Sequence, residues 1–82
     1  MSDAVAQKVR EIVVKVLKVD PDRVRPEARF AADLGADSIQ SVELVAAFAE
    51  GFDIDMREDE ALAVQTVGDA VKFIRKCLDE QR

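Results

Sequence analysis

Eighty-two residues, 49% of them apolar, suffice for one small core, and no apolar run approaches the length a bilayer span needs. A formal net charge of −5 argues against a nucleic-acid partner, and the absence of histidine removes the usual base for a nucleophilic serine. The one cysteine, Cys77, cannot form an internal disulfide, and the start Met1-Ser2-Asp3-Ala4 lacks a secretion signal, so the expected home is a reducing cytoplasm.

Val5, Val9, Ile12, Val13, Val16 and Leu17 recur at three- and four-residue steps and predict a first amphipathic helix, with Ser2 or Asp3 as its N-cap. Lys15 and Lys18 suit its negative pole, and Asp20-Pro21-Asp22 is expected to end it. Residues 19–37 form a long connection holding Pro21, Pro26 and Gly35, with Val24, Phe30 and Leu34 as apolar anchors. Loops of this length in compact domains are often functional. A second helix is expected from about Ser38 to Phe52, with Val42, Leu44, Val45, Phe48, Ala49 and Phe52 on one broad face. Asp37 with Gln40 fits a capping box, although Ser38 is an alternative cap. Gly51 weakens the last turn.

A short third helix falls around Glu58 to Ala63. The last helix follows a capping box at Thr66-Val67-Gly68-Asp69. Its stripe is Val67, Ala70, Val71, Ile74 and Leu78, with Cys77 beside it and Phe73 off-centre and partly exposed. Asp79 to Arg82 is expected to fray. No strand pattern appears. The expected fold is all-α: a single domain over residues 1–82, a small four-helix bundle of three main helices and one short one, with a long first loop. No large apolar surface is left over, so a monomer is expected.

Residues 31–60 hold nine acids and one base, a net of −8, whereas residues 1–30 carry +2 and residues 61–82 carry +1. A field of that sign steers a basic partner towards the middle of the chain. Zinc binding lacks ligands, and a calcium loop beginning at Asp53 would need glycine where Glu58 stands and glutamate where Val64 stands, so no metal site is expected. The carboxylates show no sign of a pocket that would tune them for acid–base work. Ser38, at a loop-to-helix turn, has two readings. It is a helix-start serine satisfying a free amide, or a hydroxyl poised to carry a phosphate where amides and the helix dipole favour an anion.

Taken as an ordered set, Phe30, Asp33-Leu34-Gly35, Asp37-Ser38, Val42-Glu43-Leu44 and Phe52-Asp53 resemble the acyl carrier proteins, over roughly Val5 to Ile74. The resemblance implies a 4′-phosphopantetheine arm on Ser38, placed from coenzyme A by a phosphopantetheinyl transferase, with Asp37 in a supporting role. The chain would be no enzyme. It would carry acyl groups as thioesters to ligases, synthases or acyltransferases with basic docking patches, in fatty-acid, lipid or polyketide biosynthesis. Glu43 and Glu50 match acidic partner-facing positions, and Ile39, Val42 and Ala46 match the apolar positions between them. Candidates for a sheltering acyl pocket are Phe30, Leu34, Val42, Leu44, Val45, Phe48, Val64 and Val71, each with plain core as the alternative.

Gln40, Ala49 and Gly51 stand where the family usually has acids. Arg57 replaces a usual proline and puts a positive charge in the acidic region, and Leu62 reads as an exposed apolar contact. These departures suggest a specialised rather than a housekeeping carrier. Two other readings stay open at this point: a carrier for aminoacyl cargo, and an unmodified acidic module that binds partners through its second helix.

Overall fold

The computed structural model describes residues 4–80. Helix α1 spans Ala4–Leu17, a 3₁₀ turn spans Pro21–Arg23, and α2, α3 and α4 span Ser38–Phe52, Glu58–Leu62 and Val67–Glu80. The all-helical expectation holds for these residues. The only pairing of extended backbone among them is a single antiparallel bridge, Arg29 with Thr66. The proposed caps at Ser2 and Asp3 lie outside the described residues, as do Gln81 and Arg82.

Helix α1 is the centre of the packing and touches both α2 and α4. Val9, Val13 and Ile74 are fully buried at its heart. No polar or charged side chain is buried among the described residues, so this core is held by apolar packing alone. Helix α3, one and a half turns long, lies against α2. Helix α4 starts on Thr66, whose hydroxyl accepts from the Asp69 N–H at 3.1 Å, as its sequence suggests.

Three boundaries differ from expectation. Helix α1 stops at Leu17, ahead of the proline, because Lys18 takes a left-handed conformation (φ 55°) and its N–H closes on the Val14 carbonyl at 2.8 Å. Pro21 instead opens the 3₁₀ turn, whose N-cap is Asp20. Helix α4 continues through Asp79 and Glu80 rather than fraying there.

The long loop is pinned at several points. Val24, Phe30 and Leu34 are buried as anchors, and Ala28 and Ala36 join them. The Phe30 N–H donates to the Gln65 carbonyl at 3.0 Å, and the Val67 N–H donates to the Ala28 carbonyl at 3.0 Å. Gly68 allows the closest approach. Its N–H reaches the Pro26 carbonyl at 2.8 Å, and a Cβ there would sit 3.0 Å from that same oxygen.

Candidate functional site

The turn before α2 is built by short-range bonds. The Asp33 carboxylate accepts the Arg29 N–H at 2.8 Å, and the Asp33 carbonyl accepts from Arg23 Nη2 at 2.9 Å. The Arg29 carbonyl takes the N–H groups of Asp33 and Leu34, and Ala36 N–H donates to the Phe30 carbonyl at 2.8 Å. Gly35 sits at φ 73°, and nothing lies within 4 Å of where its Cβ would be. Backbone conformation, rather than crowding, requires glycine there.

Asp37 then caps α2. Its carboxylate accepts the Gln40 N–H at 2.8 Å, and its own N–H donates to Gln40 Oε1 at 3.3 Å, a complete capping box. Of the two caps considered from sequence, Asp37 is the one used. Ser38 is the first helical residue and is exposed. With capping done by Asp37, its hydroxyl bonds to no other described residue. An accessible hydroxyl at a helix start, beside amides without intrahelical acceptors, is a place where a phosphate ester is well tolerated.

Along α2, Ile39, Val42, Glu43, Ala46 and Glu50 fall within an arc of about 100° at 100° per residue, and all five are exposed. Ile39 keeps 72% of its surface in water, and Val42 keeps 44%. Val42 therefore does not belong with the buried face, where its periodicity places it. It lies about 120° round from Phe48, at the edge of the apolar arc. Leu62 on α3 is also exposed, at 42%, as its sequence suggests.

Behind this face, a cavity of about 340 Å³ opens between α2 and α4 and under α3. Phe30, Leu44, Phe48, Ala61, Ala70 and Ile74 are its buried lining, with Val45, Met56, Val64 and Phe73 half-buried. Arg29, Ala31, Ala32, Leu62 and Gln65 are exposed and form the mouth, with Ser41 half-buried beside them. Of the sequence candidates, Phe30, Leu44, Val45, Phe48 and Val64 line this cavity. Leu34, Val71 and Val42 do not. Leu34 is spent in the core under the loop, and Val71 faces a separate groove with Ala6, Val24 and Pro26, because it lies on the α1 side of α4. Met56, Leu62, Ser41 and Phe73 were not foreseen as lining. Phe73 carried a signal, an aromatic side chain off the centre of its helix stripe. Met56 carried none, since its wall is made only when the loop after α2 folds back.

No group of three or more His, Cys, Asp and Glu side chains able to hold a metal occurs among the described residues. No helix among them is long and apolar enough to cross a membrane. Burial pushes the Cys77 thiol up, and the negative charges of Glu80 and Glu60 push it further, so it is a weak nucleophile at neutral pH.

These features define a phosphopantetheine-binding carrier domain, and the model of that domain, described as a phosphopantetheine attachment site, matches residues 7–74. The acyl carrier protein of Phenylobacterium zucineum is 55% identical over 78 residues, covering 95% of this chain and 98% of the relative. That of Caulobacter vibrioides is 55% identical over 74 residues, covering 90% and 94%, and that of a Sulfurovum species is 52% identical over 71 residues, covering 87% and 95%. The chain belongs to the acyl carrier protein family, whose prosthetic group is covalently attached 4′-phosphopantetheine.

Proposed function

We propose that Ser38 is the attachment point of the arm. The observation that carries this is the Asp37–Gln40 capping box. It satisfies the Asp37 and Gln40 N–H groups and leaves the exposed Ser38 hydroxyl without a capping task. Bound there, the arm supplies a terminal thiol that holds an acyl group as a thioester. The chain itself performs no catalysis on that group. It fixes the arm at one end of α2 and keeps the cargo at high effective concentration near any partner docked on that helix.

Asp37 lies exposed next to Ser38 and presents a carboxylate to the transferase that installs the arm. Glu43 and Glu50 pair with a basic patch on a partner, while Ile39, Val42 and Ala46 supply apolar contact between them. The cavity floor of Phe30, Leu44 and Phe48, with Val45 and Val64, shelters an apolar acyl tail. The cargo is an acyl intermediate of fatty-acid, lipid or polyketide synthesis, handed among ligases, synthases and acyltransferases.

Ser38→Ala tests this. The variant is expected to keep the helical circular dichroism and urea midpoint of the parent and to lose all acyl transfer with partner enzymes. Retained partner-dependent activity in Ser38→Ala would instead mark an unmodified interaction module.

A further inference from the structure

A second groove, of about 310 Å³, is built without any residue of α2. It lies between the first half of α1, the long loop and the start of α4. Val24 and Val67 are its buried floor, and Ala6 and Val71 are half-buried walls. Gln7 and Arg10, three residues apart on one face of α1, stand exposed at the rim. Arg10 is the one charged residue that lines the groove. Its Nε donates to the Pro21 carbonyl at 3.2 Å, which fixes the guanidinium and leaves Nη1 and Nη2 without a partner among the described residues. Arg25, between Val24 and Pro26 in the chain, is held the same way on the next carbonyl, that of Asp22, at 3.4 Å. Neither guanidinium is ion-paired to a carboxylate among the described residues.

The segments that build this groove have the opposite charge to α2 and α3. Residues 1–30 carry a net +2 and residues 61–82 a net +1, against −8 for residues 31–60. An acidic partner is therefore steered to the groove side, and a basic one to α2. The free Nη pair of Arg10 is a fork that matches a carboxylate, and the Gln7 amide beside it can donate as well. The shape decides between a small ligand and a protein. Of the residues lining the groove two are buried, three half-buried and three exposed, so a small molecule lying there would stay largely in water. A protein segment brings its own cover. We propose that this groove docks an acidic amphipathic helix of a partner protein. An aliphatic side chain of that helix rests over Val24, Val67 and Val71, and carboxylates one turn apart meet Arg10 and Arg25. The surface is separate from the α2 face and does not depend on the arm, so the two faces can be engaged by different proteins.

The test titrates a synthetic amphipathic helix of leucine, alanine and glutamate into the isotope-labelled full chain without an arm and follows backbone amide NMR shifts. Saturable shifts are expected around residues 6–10, 24–27 and 67–71, with a Kd of about 0.1–1 mM, as for a weak encounter. Arg10→Glu should weaken binding about 10-fold at low salt, and Arg10→Gln, which adds no acid, about 3-fold. Lys15→Glu changes the net charge as much from an exposed position outside the groove and should weaken it less than about 2-fold. Circular dichroism checks that each variant keeps its helices. Shifts spread along α2, equal losses in Arg10→Glu and Lys15→Glu, or no saturation by about 5 mM peptide would overturn the proposal. So would binding of phosphatidylglycerol vesicles through these residues with none of the peptide, which would assign the groove to a lipid surface. Ser38 is untouched throughout, so failure here leaves the attachment reading standing.

Discussion

Removing the Asp37 carboxylate deletes the N-cap bond to Gln40, so Asp37→Ala should lower the unfolding free energy by about 1 kcal/mol in a urea titration. Asp37→Asn keeps an acceptor at the cap. Its stability should stay within a few tenths of a kcal/mol of the parent, while its kcat/KM with a phosphopantetheinyl transferase falls. Unchanged kcat/KM in Asp37→Asn would confine Asp37 to capping. This corner was legible in the sequence because its bonds span three residues and follow a local rule. Gly35 was legible only as a loop residue, and its φ of 73° supplies the reason for glycine there. The supports of Asp33 were not, because Arg23 lies ten residues away and only the folded loop brings it to the Asp33 carbonyl.

At the scale of helices and loops, α2 has one face in the core and one in water, the latter being the face proposed for partners. Phe48 is buried and also forms cavity floor, so Phe48→Ala should destabilise the fold by about 3 kcal/mol, read from urea midpoints. Ile39 is mostly in water, so Ile39→Ala should change stability by less than about 0.5 kcal/mol and yet weaken partner binding, measured by titration calorimetry. Equal stability losses from the two would contradict this division of faces. Helical periodicity placed Leu44 and Phe48 well. It misjudged Val42 because an arc edge can turn to either side, and only the position of α1 and α4 decides. Leu34 and Val71 are apolar residues at sound core positions. Whether such a residue borders the cavity, a separate groove or only the core is set by helix packing, which no single-chain pattern encodes. The end of α1 was misread at Pro21 because a lysine in the left-handed region leaves no compositional mark.

Across the whole molecule the charge is divided, with a net of −8 in residues 31–60 and small positive excesses on either side. That division was legible from composition, and the fold sets α2 and α3, its main carriers, side by side. Arg57, exposed at the start of α3 without a side-chain capping bond, works against it. Arg57→Glu should raise the association rate with a basic partner about 2- to 5-fold at low salt in stopped-flow measurements, a gain that fades near 0.5 M salt. The central claim, that Ser38 bears the arm, is tested most directly by incubating the protein with coenzyme A and a broad-specificity phosphopantetheinyl transferase. Intact mass and peptide mapping then follow. The account predicts a gain of one phosphopantetheine, located on Ser38 and absent from Ser38→Ala. A gain at another residue, or none in a well-folded protein, would contradict it.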